Sequence, residues 1–545
     1  MSDNGRRDRS WWGWGWEDQA LSDQECRSYA GLMEGLAADP MPVPTVADLD
    51  LPAPRVAAPA SLAHLMADTP DERASHTYGK AYRDVVRALR GQMDSPPDLV
   101  ARPRVEPDVA DLLDWATGAG VAVVPFGGGS SVVGGVECPG DGFAGVVSLD
   151  LTAMNRVLEV DTISRAARIQ AGALGPVLED QLRTTGHTLR HYPQSFEFST
   201  LGGWLATRAG GHFATLHTHI DDFVESMRVI TPAGPVETWR LPGSGAGPSP
   251  DRMFLGSEGT LGVITEAWMR IQDRPVHRRS VSVAFGSGSD AMSAVRAIAQ
   301  SGLYPANCRL LDPGEAGLAG ASRSGEWVLV LGQESAHHPV DTEVDLLVDI
   351  ARGHGGVPSP ASTSTSTSAS AAGAQRGPGG RGEVTRDGAA EAWRSTFLRM
   401  PYIRDAMARV GAITETFETA TTWDRVEVLY ESVTSEIGAA VTEITGRPGL
   451  INCRFTHVYP DGAAPYFTVI AAARRGSELA MWDEIKAASM DVLTRHRATV
   501  THHHAVGRDH RPGYDRQRPE LFAAALGAAK ATLDPAGILN PGVLI

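Results

Sequence analysis

The sequence has little cysteine and no pair of the Cys-x-x-Cys type; its four cysteines stand far apart, at Cys26, Cys138, Cys308 and Cys453. This spacing excludes a disulfide framework and a thiolate zinc site. The chain also lacks a run of about twenty apolar residues, so we expect no transmembrane helix. Paired arginines near the N-terminus are followed by no apolar stretch, so we expect no signal peptide and predict a cytoplasmic protein.

An excess of positive charge is absent as well, because the formal net charge is −16. Phosphate backbones attract a positive face, so this balance argues against a nucleic-acid-binding protein. The hydrophobic fraction of 42% is ordinary for a globular protein, and 545 residues are too many for one hydrophobic core. We therefore expect two or three domains.

The residue composition and the hydrophobic pattern change along the chain. Residues 1–95 suggest helices and loops, whereas 96–275 contain short β-branched runs between glycines and one clear helix at 174–186. This mixture predicts an α+β protein. Residues 357–383, rich in serine, threonine and glycine, have almost nothing to bury and are predicted to be a disordered surface loop.

The region after this loop carries three further local signals. A helical stretch contains Pro401, the segment TTWD at 421–424 has the form of a capping box that begins a helix, and PYFTVIAAA at 465–473 is typical of a strand. The sequence therefore predicts helices and strands in alternation here.

Three consecutive histidines occur in the segment TVTHHHAVG, residues 499–507. Apolar and polar residues alternate before them, which predicts a β-strand with His502 and His504 on one face and His503 on the other. Two imidazoles on one face could begin a metal site, but further ligands would have to come from elsewhere. The pattern alone leaves open a metal site, an accident of composition and an organic active site.

The segment PFGGGSSVVGG, residues 125–135, directly follows an apolar strand. Glycines followed by serines allow backbone N–H groups to turn inward and hold an anion, although a plain glycine-rich turn is the simpler alternative. The spacing matches neither the Rossmann Gly-x-Gly-x-x-Gly pattern nor a Walker loop. A ligand that carries phosphate is the interpretation we favour.

Two later segments, 193–234 and 254–271, cluster small residues, and either alone could be a loop between strands. Together with the glycine loop, in this order, they resemble the FAD-binding segments of the flavoproteins related to vanillyl-alcohol oxidase. The resemblance implies FAD, bound non-covalently because the glycine loop offers no histidine or cysteine for a flavin bond. The residues it implies for cofactor binding are Phe126, Gly127, Gly128, Gly129, Ser130, Ser131, Val132, Gln194, Ser195, Phe196, Glu197, Phe198, Ser199, Thr200, Thr207, Arg208, Ala209, Gly210, Glu258, Gly259, Thr260, Leu261, Gly262, Val263 and Ile264.

A narrower resemblance extends over the whole chain except 357–383. The motifs RSWWGWGWEDQ, NCRLLD, YIRDAMARVGAITETFETATTWDRV, PYFTVIAAARRG and THHHAVG occur in this order in the alkylglycerone-phosphate synthases. The resemblance implies a homodimer and an α+β fold, with a PCMH-type FAD-binding domain of two α/β subdomains and an α+β cap domain that holds an antiparallel sheet. The predicted ranges are 1–95 for an N-terminal helical and extended segment, 96–275 for the FAD-binding domain, 276–499 for the cap and 500–545 for a C-terminal active-site segment that returns to the FAD-binding domain.

The same resemblance assigns roles to individual residues. It implies that Tyr466 is the acid/base group, that Arg404 holds the anionic part of the substrate, and that Arg309 is required for catalysis. A phenol titrates near pH 10, so it needs cationic or hydrogen-bonding neighbours, which His502, His503 and His504 and nearby arginines would provide. Without the resemblance, the arginines could form ordinary salt bridges, and the tyrosine could belong to a strand core.

Metal ligation is not expected at the histidines. The related D-2-hydroxyacid dehydrogenases have a motif similar to GEHG at this position, and the glutamate and histidine of that motif help to build a metal site. This chain has HHHAVG there, without an acidic residue in the run. We therefore predict no metal.

The resemblance implies an unusual flavin-dependent reaction. In the synthases, the acyl group of acyl-dihydroxyacetone phosphate is exchanged for a fatty alcohol, with flavin N5 as the covalent carrier, and the product is an ether lipid. A lipid substrate would bring the protein to the inner membrane face as a peripheral contact. One alternative is an FAD-dependent dehydrogenase or oxidase of a D-2-hydroxy acid or a similar small alcohol, and another is a non-catalytic flavin-binding scaffold.

Overall fold

The first sheet of the computed structural model has four strands, and its strands β2 to β4 are parallel. The model describes residues 7–31, 33–212, 215–322, 324–359, 384–385 and 388–545, with the backbone alone described between 384 and 398. The strand order is β1-β2-β4-β3. The elements of this first part are α1 (Asp23–Ala30), β1 (Met66–Ala67), α2 (Pro70–Ser75), α3 (Tyr82–Leu89), β2 (Leu99–Ala101), α4 (Glu106–Ala119), β3 (Val121–Phe126) and β4 (Gly145–Asp150).

Two features of this part were not predicted. Strand β1 lies in the N-terminal segment that was expected to be helical and extended, and it pairs with β2 and so extends the first sheet. Helix α4 also went unrecognised, since 174–186 was expected to be the one clear helix of the domain. Its signals were present: a proline in the first turn, buried residues at positions 109, 112, 113 and 116, and a left-handed Gly120 after its end.

A second, antiparallel sheet of five strands follows, in the order β5-β6-β10-β8-β9, and the short strands β7 and β11 pair separately. Its core includes Trp204, on a helix of the second predicted cofactor segment. The elements are β5 (Val157–Asp161), β6 (Ala166–Gln170), α5 (Gly175–Arg183), β7 (His187–Thr188), α6 (Leu201–Thr207), β8 (Val224–Thr231), β9 (Gly234–Glu237), α7 (Asp251–Phe254), β10 (Val263–Arg270) and β11 (Gln272–Asp273).

The cap is built on a large sheet with the path β15-β12-β14-β13-β19-β20-β17; β16 adds to β12, and β18 adds to β20. All its pairings are antiparallel except that of β16. The elements are β12 (His277–Phe285), α8 (Gly288–Ala299), β13 (Asn307–Leu311), α9 (Pro313–Leu318), β14 (Trp327–Ser335), α10 (Asp341–Gly353), β15 (Val357–Pro358), β16 (Val384–Thr385), α11 (Gly388–Arg409), β17 (Ala412–Glu418), β18 (Thr421–Thr422), α12 (Trp423–Thr445), β19 (Leu450–Val458), β20 (Gly462–Ala472) and α13 (Glu478–Arg495).

The first two sheets, the cap sheet and the helices around them confirm the predicted α+β class, and the cap sheet is antiparallel as predicted. The helix with Pro401 inside it and the strand at 465–473 are α11 and β20. Helix α12 begins where TTWD predicts, but the hydroxyl of its N-cap residue, Thr422, forms no capping hydrogen bond. The predicted disordered loop begins too early, because Val357–Pro358 pairs with β12; its residues 360–383 lie outside the described residues.

The C-terminal segment contains α14 (Arg511–Gln517) and α15 (Glu520–Leu533) and then returns to the first sheet, where Leu539 bridges Val123 in parallel. Short 3₁₀ helices occupy Glu17–Gln19, Val46–Asp48, Ala63–Leu65, Leu151–Ala153, Phe196–Phe198 and Ile220–Phe223. All four cysteines are buried and free. Among the described residues, no helix combines the length and the apolar character needed to cross a membrane.

Residues 501–507, which we call the histidine loop, are not a strand, so the predicted alternation of faces is wrong. The backbone N–H groups of His502, His503 and His504 all donate to one carboxylate oxygen, Oε1 of Glu418, over 3.0, 2.7 and 2.6 Å. An extended strand points successive N–H groups in opposite directions, so three of them can converge on one atom only if the chain curls. Glu418, fully buried at the end of β17, therefore shapes the loop.

A second carboxylate holds the other end of the histidine loop. Glu258, from the domain with the first two sheets, accepts the N–H groups of Val506 and Gly507 over 2.9 and 2.8 Å. Burial raises the pKa of Glu258 to about 7, against the effect of these two donors. The loop is thus fastened to the cap at one end and to the part with the first two sheets at the other.

Replacement of Glu418 tests this fastening. We expect Glu418→Ala to lower the free energy of unfolding by about 3 kcal/mol or more, because it strands buried N–H groups without an acceptor. Glu418→Gln, which keeps one acceptor oxygen, should lose less. Chemical denaturation measures both, and Glu427→Ala, which removes an exposed carboxylate of the nearby helix α12, is the matched control and should change stability by less than about 0.5 kcal/mol. Equal stability of the Glu418 and Glu427 variants would contradict the role of Glu418.

Candidate functional site

One elongated cavity runs from the glycine loop after β3 to the face of the cap sheet. Its walls come from parts of the chain that are far apart in sequence, so it exists only in the folded protein. The side of the first two sheets contributes Phe126, Gly127, Gly128, Gly129, Ser130, Ser131, Val132, Gln194, Ser195, Ser199, Thr200, Thr207, Ala209, Gly210, Glu258, Gly259, Gly262, Val263 and Ile264. The cap and the histidine loop contribute Glu315, Leu318, Met400, Pro401, Arg404, Met407, Thr414, Thr416, Arg454, Tyr466, Thr468, Ile470, His503 and His504.

The glycine loop is shaped to receive an anion. A β-carbon on Gly128 would lie 1.7 Å from the carbonyl oxygen of Phe198, and Gly129 has a φ of 65°, so neither position accepts a larger residue without a backbone shift. Within the described residues, the N–H groups of 128–131 donate to no protein group. Free donors on a curled backbone fit the diphosphate of FAD.

Six of the residues expected to bind the cofactor do not line the cavity. Phe196 packs beside Trp204, and Phe198 packs edge-on against Trp14 and Trp16. The others have structural partners: Glu197 accepts a hydrogen bond from Trp16 Nε1, Arg208 pairs with Asp221, Thr260 donates to the Ser257 carbonyl, and Leu261 is fully buried. These residues support the segments whose neighbours face the cavity.

Tyr466 lies in the middle of a row that crosses three strands. It is the register partner of Glu418 on β17 and of Arg454 on β19. Directly opposed residues of neighbouring strands project from the same face, so the three side chains are neighbours. The guanidinium carbon of Arg454 is 3.9 Å from the centre of the Tyr466 ring, and Arg454 Nη1 pairs with Glu315 over 2.7 Å.

The environment of Tyr466 favours the neutral phenol. Burial raises the pKa of Tyr466, and this effect outweighs the charge of Arg454 and the hydrogen bond to Thr416, which lower it. Arg454 and Thr416 are cationic and hydrogen-bonding neighbours of the expected kind, and the acid/base role of Tyr466 stays a prediction. Tyr466 is placed to move a proton as a phenol.

The three histidines divide between two environments. His503 and His504 line the cavity, and their rings lie 6.2 and 5.5 Å from that of Tyr466. His504 Nδ1 also lies 2.7 Å from Glu418 Oε2, an ion-pair distance. His502 instead points away from the cavity, with its Nε2 2.7 Å from the Tyr459 hydroxyl.

Burial governs the charges of this cluster. It lowers the pKa of His503 to about 3, against the attraction of Glu418, and it lowers the pKa of His502 and of His457 well below the usual value. Glu418 is the reverse case: burial opposes its ionisation, but the neighbouring His504 keeps its pKa well below the usual value. Around neutral pH, His502 and His503 are therefore neutral imidazoles beside a carboxylate.

Two groups of three side chains have the spacing of metal ligands: His457, His502 and His503, and Glu418, His503 and His504. The acidic residue missing from the HHHAVG run is thus supplied by β17. However, Oε1 of Glu418 already accepts three backbone N–H groups, and His457 Nε2 is engaged with the Gly211 carbonyl at 2.8 Å. The absence of a metal stays a prediction.

The two arginines named from the sequence lie in different places. Arg404 lines the cavity, and its Nη2 is 3.1 Å from Asp405 Oδ1. Arg309 does not line the cavity; it is buried behind it and donates to the His212 carbonyl over 3.2 Å. Burial first, and then Arg454, lowers the pKa of Arg309 to about 9.

Sequence reasoning missed four residues of this region: Arg454, Glu418, His219 and His457. The first two alternate with apolar residues on strands that precede and flank Tyr466, a signal that could have placed them on its face. No local pattern marks His219 or His457. His219, for example, contacts His502 of the histidine loop, which is 283 residues away in the sequence.

Comparisons with known proteins agree with this arrangement. Residues 97–239 match the family model of an FAD binding domain, and residues 274–544 match that of the C-terminal domain of FAD linked oxidases. FAD is therefore the cofactor, as the sequence predicted.

Whole-chain relatives are more specific. The alkyldihydroxyacetonephosphate synthases of Trypanosoma brucei brucei and Dictyostelium discoideum are each 32% identical to this chain, over 87% of it and 77% of their own length. A solved alkyldihydroxyacetonephosphate synthase superposes with a TM-score of 0.79 at 26% identity, over 98% of both chains. With this identity over most of both lengths, and with the cavity, the glycine loop and the histidine loop all present, the chain belongs to the alkyldihydroxyacetonephosphate synthase family.

Proposed function

We propose that the protein exchanges the acyl chain of acyl-dihydroxyacetone phosphate for a fatty alcohol and so forms the ether bond of an ether lipid. The observation that carries this proposal is the composition of the cavity described above, which joins the glycine loop to Tyr466 and continues along apolar side chains. Leu318, Met400, Pro401, Met407 and Ile470 line that apolar part. A lipid chain suits such a surface, whereas a small hydroxy acid would leave it uncovered.

Charged side chains beside the apolar part suit the polar end of such a substrate. Arg404 opens into the cavity next to Met400 and Met407, and its planar guanidinium can hold a phosphate through two parallel hydrogen bonds. Arg454 adds a second cation beside Tyr466. Together they would orient the ketone phosphate with its reacting carbon towards Tyr466.

FAD, when bound, supplies an electron reservoir that can take up and release the ketone-phosphate carbon. The residues that would hold it are the free N–H donors of 128–131 and the cavity-lining residues Thr207, Ala209, Gly210, Glu258 and Gly259. The task of the remaining residues is proton movement. A neutral imidazole on His503 can accept the proton that leaves the substrate, and the phenol of Tyr466 can transmit it.

Three further properties are proposals on the same basis. Family membership supports a homodimer, the charge and segment pattern of the sequence supports a cytoplasmic protein, and a lipid substrate supports a peripheral contact with a membrane. The dehydrogenase alternative has less support, because the synthases named above match over most of both chains.

Direct assay tests the function. Purified protein with FAD, acyl-dihydroxyacetone phosphate and hexadecanol should yield an alkyl ether product and one fatty acid per ether formed. Anaerobic incubation with D-lactate or D-2-hydroxyglutarate is the control, and we expect the flavin to stay oxidised. Bleaching of the flavin by a hydroxy acid, without ether formation, would support the dehydrogenase alternative instead.

Replacement of Tyr466 tests the acid/base assignment. Tyr466→Phe should lower kcat by about a hundredfold or more, the usual effect of a lost acid/base group, while FAD content and melting temperature stay near those of the unchanged protein. Tyr304→Phe, at an exposed tyrosine, is the matched control. Normal turnover by Tyr466→Phe would remove this residue from catalysis.

Replacement of Arg404 tests substrate binding. Arg404→Ala should raise KM for the phosphate substrate by about tenfold or more, because a charge-assisted contact is worth roughly 1.5–3 kcal/mol, and KM for the alcohol should change little. Arg399→Ala, at an exposed arginine of the same helix, serves as the control. Equal KM values in the two variants would argue against the assignment.

A further inference from the structure

A chain of imidazoles leads from the cavity towards the surface of the protein. His503 lines the cavity, and its Nδ1 is 3.0 Å from Nδ1 of His502. Nε2 of His502 is in turn 3.2 Å from Nε2 of His219, whose Nδ1 is 2.9 Å from the Arg208 carbonyl oxygen. His219 is partly exposed, so the three rings connect the cavity to solvent.

The outer end of the chain sets the direction of the hydrogen bonds between the three rings. A carbonyl oxygen only accepts, so His219 carries its hydrogen on Nδ1, and neutral His219 offers a bare Nε2. When His502 bonds to His219, it donates from Nε2 and accepts at Nδ1, which makes His503 donate from Nδ1. The remaining nitrogen of His503, its Nε2, is left bare as a base.

We propose that His503, His502 and His219 form a proton relay that moves a proton between the cavity and the surface during catalysis. When Nε2 of His503 accepts a proton, His503 passes its Nδ1 proton to His502, and His502 passes its Nε2 proton to Nε2 of His219. The positive charge then resides on His219. The reverse sequence returns a proton to the cavity and restores every hydrogen bond.

Tyr459 supports the state in which the charge has moved outwards. Its hydroxyl lies 2.7 Å from His502 Nε2 and also bonds to Thr218. While His502 carries its hydrogen on Nε2, that single N–H is shared between His219 Nε2 and the tyrosine oxygen, and the tyrosine's own hydrogen can point to Thr218. Once His502 has given up its Nε2 proton, the hydroxyl can turn and donate to the bare nitrogen, so neither state leaves that atom without a partner.

The chemistry of the proposed function, on which this inference rests, requires such a path. Acyl exchange on a ketone phosphate begins with removal of a proton from a carbon of the substrate, and a later step must return a proton to the substrate. Both steps take place in a cavity where a buried charge is costly. Burial disfavours the protonated form of His503, whereas transfer over two hydrogen bonds brings the charge to solvent. Glu418, His457 and Arg309 also face this cluster, and so do His504, Tyr466 and Arg454 beside His503.

Removal of the outer imidazole tests the relay in the FAD-loaded protein. We expect His219→Ala to lower kcat for ether formation by about tenfold or more with KM nearly unchanged, because proton transfer becomes rate-limiting. The solvent deuterium isotope effect on kcat should increase, and imidazole in the buffer should restore turnover in proportion to its concentration. His217→Ala, which removes an exposed imidazole two residues away, is the control and should behave like the unchanged protein.

A second variant separates proton transfer from hydrogen bonding. The side chain of His219→Gln can accept a hydrogen bond from His502 but cannot take up a proton, so we expect the same loss of kcat as in His219→Ala. Normal turnover in either variant, or a loss that imidazole does not restore in His219→Ala, would overturn the relay. If His219→Ala loses FAD, the glutamine variant decides through its turnover and isotope effect. Unchanged protein that forms no ether would refute the proposed function, and the relay with it.

Discussion

The hydrogen bonds between the Glu418 carboxylate and three consecutive N–H groups of the histidine loop organise the site. A buried carboxylate is costly unless its oxygens are satisfied, and three convergent donors over 3.0 Å or less satisfy one of them. This arrangement is possible only if the chain curls at His502–His504, which sends three adjacent imidazoles to different places. Glu258 repeats the device at the other end of the loop and joins it to the FAD-binding side.

Because Glu418 lies on β17, it links the histidine loop to the pairing of the strands in the cap sheet. The register that places Glu418 opposite Tyr466 also places Arg454 on the other side of the tyrosine. A slip of one residue in either pairing would send Tyr466 to the opposite face of the sheet, away from the cavity. Sheet register, the curled loop and the cavity wall are therefore parts of one structural constraint.

Burial then determines the charges in the site. His502, His503 and the phenol of Tyr466, which can exist as neutral groups, are held neutral, whereas the carboxylate of Glu418 and the guanidinium of Arg454 persist as ions because each has close partners. The negative charge of Glu418 partly offsets the cost of placing a proton on either imidazole. Such a balance suits a reaction in which protons leave and return while a flavin provides the electrons.

Local patterns in the sequence were enough to predict the α+β class, the glycine loop and the strand that carries Tyr466, whereas the FAD segments were predicted from a family resemblance. The features predicted from local patterns depend on short-range chemistry: glycine where the backbone turns back, and alternation where one face is buried. The prediction of a strand at the histidines used the same reasoning and was wrong, because the acceptor that curls this loop stands 84 residues earlier in the chain. The tertiary structure alone decided which histidines face the cavity, that Arg309 lies behind it, and that His219 meets His502, since contacts between distant segments leave no periodic trace in either segment.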